Sequence, residues 1–99
     1  MRQGTTPTLV IHTSGIELEK LTSLYITIEQ NGTTLTKRME DLEIEENTVA
    51  VTLTQEETLQ FMPGRYQVQI RAIIEEGMVI ASPILTRPVF PVLYKEIIE

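Results

Sequence analysis

The segment from Thr48 to Ala72 constrains the fold of this chain more than any other, because it combines two strand patterns with a helical turn and a tight corner between them. Apolar residues recur at every second position on both sides of the turn, which is the period of a strand with one buried face. They are Val49, Val51 and Leu53 before the turn, and Tyr66, Val68, Ile70 and Ala72 after it. This pattern predicts a corner at which the chain crosses from one sheet of a β-sandwich to the other.

The turn inside this segment has its own start and stop signals. Thr54 and Glu57 form a Thr-x-x-Glu box, in which each side chain can accept a hydrogen bond from the other residue's backbone amide. Leu59 and Phe61 are expected to lie beneath the sheets. Pro63-Gly64 ends the turn as a type II corner, because proline presets its own φ and glycine tolerates a positive one.

Two strands with a tight hairpin between them are predicted earlier in the chain. Leu24, Ile26 and Ile28 alternate with polar residues over 23–30, and Asn31-Gly32 follows, the strongest short-range signal for a type I′ hairpin. The return strand covers 33–39, with Leu35 facing inward.

A first strand is predicted before this hairpin. It covers residues 9–13 and has Leu9 and Ile11 on one face and His12 on the other. Ser14-Gly15 opens a connection, and residues 16–21 fit one helical turn with Leu18 and Leu21 facing inward.

Charge and proline mark two further segments. Five acidic residues surround Leu42 and Ile44 in the segment 40–47, whose period of two favours a short edge strand with solvated acids over a calcium loop. Glu76-Gly77 predicts a second hairpin turn, and residues 78–86 run back from it. Pro83 cannot donate to a ladder, so this strand lies at an edge or contains a bulge at Ser82-Pro83.

The two ends of the chain carry the candidate interaction elements. Residues 1–8 are either a frayed terminus or a flexible arm that becomes ordered against a neighbouring subunit. The segment 92–99 has more apolar residues than the core needs, and it fits a last strand, a surface helical turn or a contact with another chain. We expect a docking tail over 93–99, with four candidate partner-binding residues: Leu93, Tyr94, Ile97 and Ile98.

These patterns together predict an all-β fold in a single domain over 1–99. Seven to eight short strands separated by turns are typical of an antiparallel β-sandwich of the immunoglobulin or fibronectin III type. A small closed or partly open barrel is the alternative.

Composition excludes several classes of function. The chain has no cysteine, so it has no disulfide, no thiolate catalysis and no cysteine-based zinc site. Its formal charge of −6 argues against nucleic acid or an anionic membrane as a partner. No apolar run approaches the roughly 20 residues that span a bilayer, and residues 1–20 lack the apolar core of a signal peptide.

No catalytic constellation is visible in the sequence. The chain has neither a phosphate-binding glycine loop nor a nucleophile elbow, and His12 is its only histidine, with no partner announced by spacing. We therefore expect no enzymatic activity, no metal and no cofactor.

Two resemblances add to this interpretation. Leu59, Pro63-Gly64 and Tyr66 are similar to the corner of fibronectin type III domains, which implies that the Tyr66 hydroxyl bonds back to backbone near the corner. More broadly, the chain resembles small β-sandwich structural proteins of phages and prophages of Gram-positive bacteria, similar to the N-terminal domain of the phage baseplate upper protein. The segments that carry this likeness are Met1–Thr6, Gln30–Gly32, Leu53–Thr58 and Pro63–Ile70, together with Gly77 and Ser82.

The second resemblance implies a virion structural or assembly module that contacts copies of itself or other virion subunits, in a virion or in the bacterial host cytoplasm. The alternative is a stand-alone fibronectin-like domain that recognises a protein or a glycan through its loops. The chain has no Trp, two Phe and three Tyr, and this scarcity of aromatic platforms disfavours a sugar site. Neighbouring portal, terminase or tail genes would favour the virion hypothesis.

Overall fold

The computed structural model describes residues 1–13 and 18–99, and it shows two antiparallel sheets packed against each other. The predicted all-β sandwich is therefore confirmed. The predicted connection at Ser14-Gly15 and the first half of the helical turn at 16–21 lie outside the described residues. Within the described part of the chain, no helix is long and apolar enough to cross a membrane.

The first sheet has the strand order β1-β5-β4, and the second has the order β3-β2-β6, with β7 and β8 both paired to the far side of β6. The strands are β1 (Thr8–His12), β2 (Leu21–Gln30), β3 (Thr33–Arg38), β4 (Glu43–Ile44), β5 (Thr48–Thr52), β6 (Gly64–Ile74), β7 (Val79–Ala81) and β8 (Leu85–Val89). One short helix, α1 (Gln55–Leu59), joins β5 to β6.

The core lies between the two sheets, and the period-two pattern selects its members. Leu9 and Ile11 of β1 and the alternate apolar residues of β5 contribute from the smaller sheet, and the alternate apolar residues of β2 and β6 contribute from the larger sheet opposite. Leu18, in a single 3-10 turn before β2, is buried as expected, while Leu21 is half-buried and begins β2 itself. His12 lies on the exposed face of β1, as predicted.

The central segment folds as the sequence predicts, since β5 belongs to one sheet and β6 to the other. The capping box is present: Thr54 Oγ1 accepts from the Glu57 amide at 3.1 Å, and Glu57 Oε1 accepts from the Thr54 amide at 2.9 Å. Phe61 is fully buried, whereas Leu59 is only half-buried, because Thr58 is the residue of α1 that faces the core. Gly64 has a positive φ of 137°, far from the roughly 80° of a type II turn, so the corner is not of that type.

The hairpin between β2 and β3 has the predicted turn, with φ of 40° at Asn31 and 91° at Gly32. The acidic segment forms a single 3-10 turn over Met39–Asp41 and then β4, the two-residue strand at one edge of the smaller sheet. The predicted edge strand is confirmed.

Residues 79–89 form an interrupted edge of the larger sheet. β7 pairs with β6 at 71–73 and β8 pairs with it at 64–68, and Ser82-Pro83 lies between them. Ser82 keeps the two halves in place, because its hydroxyl accepts from the Ile70 amide at 3.0 Å and its own amide donates to the Ile70 carbonyl at 2.9 Å. The edge position predicted from Pro83 is confirmed. The strand extends to Val89 rather than ending at Thr86. Pro88 does not end it, because a residue without an N–H is tolerated in a strand at the edge of a sheet.

Candidate protein-binding surface

The four residues predicted to bind a partner lie on the surface at the end of the chain. Leu93, Tyr94, Ile97 and Ile98 have between 48% and 103% of their side-chain area exposed. They follow Phe90, which makes an isolated bridge to Arg2 and is itself exposed. The structure thus gathers apolar side chains into one solvent-facing segment, which we call the tail (residues 93–99).

The tail contains neither the last strand nor the short helix that its sequence allowed, since residues 91–99 have no regular secondary structure. It is held to the domain mainly through one side chain. The Gln55 carboxamide donates to the Ile98 carbonyl at 3.1 Å and accepts from the Ile98 amide at 3.0 Å. It thus bonds both backbone groups of one residue, as a residue of a paired β-strand does. Ile97 borders a shallow groove together with Thr6, Leu53 and α1. The tail therefore lies along the start of α1 with its apolar side chains largely in water.

The beginning of the chain runs beside the end of it. Residue Arg2 pairs in parallel with Phe90, and its guanidinium lies 5.4 Å from the centre of the Phe90 ring. The Gln3 amide donates to the Phe90 carbonyl at 3.0 Å, and the Phe90 amide donates to the Met1 carbonyl at 2.8 Å. The residues proposed as an arm thus lie against this domain's own last strand in the structure.

Buried glutamine Gln3 ties three segments together at this position. Its side-chain amide donates to the Phe61 carbonyl, and its side-chain oxygen accepts from the Val92 amide at 3.3 Å. Thr58 adds a second tie, because its buried hydroxyl lies 3.0 Å from the Thr5 carbonyl. Nothing in the sequence pattern singled out either residue, since neither continues a run of inward-facing apolar positions.

A second buried glutamine holds the other side of the corner. Gln30 Nε2 donates to the Met62 carbonyl at 2.7 Å and to the Arg65 carbonyl at 3.2 Å, and its Oε1 accepts from the Met62 amide at 2.6 Å. A signal for it existed: Gln30 continues the inward parity of Leu24, Ile26 and Ile28. A polar residue at an inward position demands a partner, and here the corner backbone supplies it.

The Tyr66 hydroxyl does not make the bond that the tyrosine-corner resemblance implied. The side chain is 1% exposed, and its ring packs 6.4 Å from that of Phe61, but its buried hydroxyl oxygen has no hydrogen-bond partner among residues 1–13 and 18–99. Burial raises the pKa of Tyr66, and the guanidinium of Arg87, its cross-strand neighbour, opposes that rise in part through its charge and through a side-chain contact that does not meet hydrogen-bond geometry. The backbone upstream of Tyr66 is bonded instead by the two glutamines.

One ion pair links α1 to the larger sheet. Lys37 of β3 contacts the Glu57 carboxylate, and both side chains are less than one fifth exposed. Burial raises the pKa of Glu57, yet the hydrogen bonds from Lys37 and Thr54 and the charge of Lys37 outweigh it and lower that pKa overall. The carboxylate therefore serves the helix cap and the ion pair.

The outer face of the larger sheet has a shallow groove of about 350 Å³. Tyr25, Arg71 and Val79 border it with two threonines. Among residues 1–13 and 18–99, no group of three or more His, Cys, Asp or Glu side chains is arranged to hold a metal ion.

Comparison with known proteins adds no relative: no family model, curated protein or solved structure matches this chain.

Proposed function

We propose that this chain is a non-enzymatic assembly module of a phage or prophage particle, of the tail or baseplate kind, that works through protein–protein contacts. The observation that carries the proposal is the tail: four large apolar side chains stand exposed on a segment without regular secondary structure. Clustered apolar surface of this kind marks interaction sites on soluble domains. The partner is protein, either a second copy of the chain or another subunit of the particle.

The way the tail is attached supports a docking role. Gln55 bonds to the backbone at Ile98 and not to a side chain, so the tail's position does not depend on its apolar residues. The apolar side chains are thus free to contact a partner while the backbone keeps its place. The seam formed by Gln3, Phe90 and Arg2 ends just before the tail and fixes the point from which it leaves the domain.

We also infer that the sandwich is of the immunoglobulin type. Such domains place strands B, E and D in one sheet and C′, C, F and G in the other. The orders β1-β5-β4 and β3-β2-β6 followed by β7 and β8 support that assignment strand for strand. Cross-strand contacts in NMR spectra that give a different strand order would refute the immunoglobulin-type assignment, and the proposed function would be unaffected.

The function is tested with a variant in which the four tail residues become serine: L93S, Y94S, I97S and I98S. The matched control changes exposed apolar residues elsewhere to serine, namely Met62, Met78, Val79 and Ile84. We expect light scattering to show species larger than a dimer for the native chain and the control, and the loss of these larger species for the tail variant, with circular dichroism unchanged in all three.

Two outcomes would contradict the docking role of the tail. Unfolding of the tail variant would assign these residues to stability. An unchanged assembled species would place the contact elsewhere. If the native chain is monomeric at high concentration, self-association through the tail is wrong and the remaining partner is a different subunit.

Genes for portal, terminase or tail proteins beside this one would support the particle assignment, and genes of unrelated function on both sides would argue against it.

A further inference from the structure

Strand β1 presents an open edge, and the direction of its backbone groups follows from its hydrogen bonds. The Leu53 amide donates to the Pro7 carbonyl at 3.0 Å, and the Thr13 amide donates to the Asn47 carbonyl at 2.8 Å. In an antiparallel ladder every second residue bonds to the same neighbour, so the odd-numbered residues 7–13 face β5. The amides and carbonyls of Thr8, Val10 and His12 must then face the opposite side.

No strand among residues 1–13 and 18–99 pairs with that side of β1. A single contact reaches it from the other sheet: Arg87 Nη2 donates to the Val10 carbonyl at 3.4 Å, near the limit of a hydrogen bond. The Val10 side chain, on the outer face, is also exposed. Apart from this one long contact, the outward backbone groups of Thr8, Val10 and His12 have no partner in the part of the chain that the structure describes.

The other sheet edges carry the features that prevent strands from pairing between molecules. β4 has only two residues and lies among acids, Pro83 interrupts the edge formed by β7 and β8, and β3 ends in Lys37 and Arg38. Charges, prolines and short strands protect edges in natural sheets. β1 has none of these, since the sequence contains no charged residue between Arg2 and Glu17. On a chain with a formal charge of −6, this is the edge at which two copies repel each other least.

The sequence of β1 also matches itself in the antiparallel direction. With Val10 opposite Val10 of a second copy, Leu9 faces Ile11 on the inner side and Thr8 faces His12 on the outer side. Each facing pair thus combines apolar with apolar or polar with polar, and no like charges meet. This register also makes Thr8, Val10 and His12 hydrogen-bonding positions, which are the residues whose backbone groups are free.

We propose that two copies of this chain pair through their β1 strands, antiparallel and centred on Val10, to form one continuous sheet across a two-fold axis. Such an interface is isologous and closed. Arg87 leaves the Val10 carbonyl, and its one long contact is replaced by about six ladder hydrogen bonds, two for each hydrogen-bonding pair. Because a five-residue strand is only about 17 Å long, the buried area falls in the range of weak, transient interfaces and the dimer forms at high concentration.

The proposal is independent of the tail and is tested in the full chain with Val10→Lys. Val10 and Val79 are both exposed apolar strand residues, 41% and 56%, so Val79→Lys on β7 is the matched control. We expect sedimentation equilibrium to show a concentration-dependent dimer for the native chain and for V79K, and a dimer weakened by about tenfold or more for V10K, which places two ammonium groups on the two-fold axis. Mixing V10K with Val10→Glu should restore association, since opposite charges then face each other.

Amide exchange gives a readout that does not depend on the variants. The Leu9 and Ile11 amides, bonded to β5, should be protected at every concentration, whereas the Val10 amide should become protected only where the dimer is populated. A native chain that stays monomeric at millimolar concentration, a V10K chain that dimerises as well as V79K, or a Val10 amide whose exchange is independent of concentration would each overturn the proposal.

Discussion

Replacing Tyr66 with phenylalanine should stabilise this domain, although the residue is almost completely buried. Phenylalanine keeps the ring and its contact with Phe61, so the packing contribution is retained. What is lost is a buried hydroxyl that has no hydrogen-bond partner in the described part of the chain. An unsatisfied buried polar group destabilises the folded state by about 1–3 kcal/mol, and the substitution removes this penalty. The small cavity that the oxygen leaves is itself destabilising and offsets part of the gain. We therefore expect the free energy of unfolding to rise by about 1 kcal/mol.

The measurement is urea denaturation at neutral pH, followed by thermal unfolding. For a domain of this size, 1 kcal/mol corresponds to roughly 4–8 °C in Tm. Tyr25→Phe is the control, because Tyr25 is exposed on the outer face of β2. Its stability should change by less than about 0.5 kcal/mol.

A pH series adds a second, independent signature of the same hydroxyl. Burial raises the pKa of Tyr66 in the folded state, so folding favours the neutral phenol. The stabilisation linked to this shift is complete below the unfolded pKa of about 10 and is lost as pH rises above it. The advantage of Y66F over the native chain should therefore grow in alkaline solution. If Y66F is instead destabilised by about 1 kcal/mol or more at neutral pH, the hydroxyl has a hydrogen-bond partner and the reasoning is refuted.

Two further substitutions test the corner and the hairpin. Gly32→Val should destabilise the domain by about 1–3 kcal/mol in urea denaturation, because a β-branched residue is strained at a φ of 91°; a loss below 0.5 kcal/mol would mean that the turn adopts another geometry. Gln30→Leu should cost about 2–4 kcal/mol, because it leaves the Met62 amide and the Met62 and Arg65 carbonyls without their partner, whereas Gln67→Leu on the exposed face of β6 serves as the control and should be nearly neutral.

The sequence predicts the strands well because their signal is local. In β2, β5 and β6 the apolar residues alternate without interruption, and each of these strands has one face buried in the structure. The hairpin turn and the helix cap follow from residue chemistry over two to four positions. Their outcome does not depend on what the rest of the chain does.

The contacts that fasten the ends and the corner were not predictable in the same way. Gln3 meets Phe61 and Val92 only because the fold brings together segments 58 and 89 residues apart. A glutamine on the surface and a glutamine in such a seam have the same local sequence signature. The Tyr66 hydroxyl shows the opposite kind of failure. The sequence matches the tyrosine-corner motif, but the hydrogen bond that this motif predicts is not formed with any described residue.

The tail and the β1 edge are the two surfaces that we propose for interaction, and they lie near each other in the fold. Ile97 of the tail borders the same groove as Thr6 and Thr52, and Thr52 is the partner of Thr8 at the start of β1. Each tail therefore lies near the Thr8 end of its own β1. In an antiparallel pair centred on Val10, the two Thr8 ends point in opposite directions, so a β1 dimer would carry one tail at each end. Two sites on one unit raise the strength of attachment to a repeated partner without any new contact, provided that the partner's spacing matches. On the proposed particle a weak strand-paired dimer would then be sufficient for assembly, because a repetitive partner supplies the high local concentration that such a dimer requires.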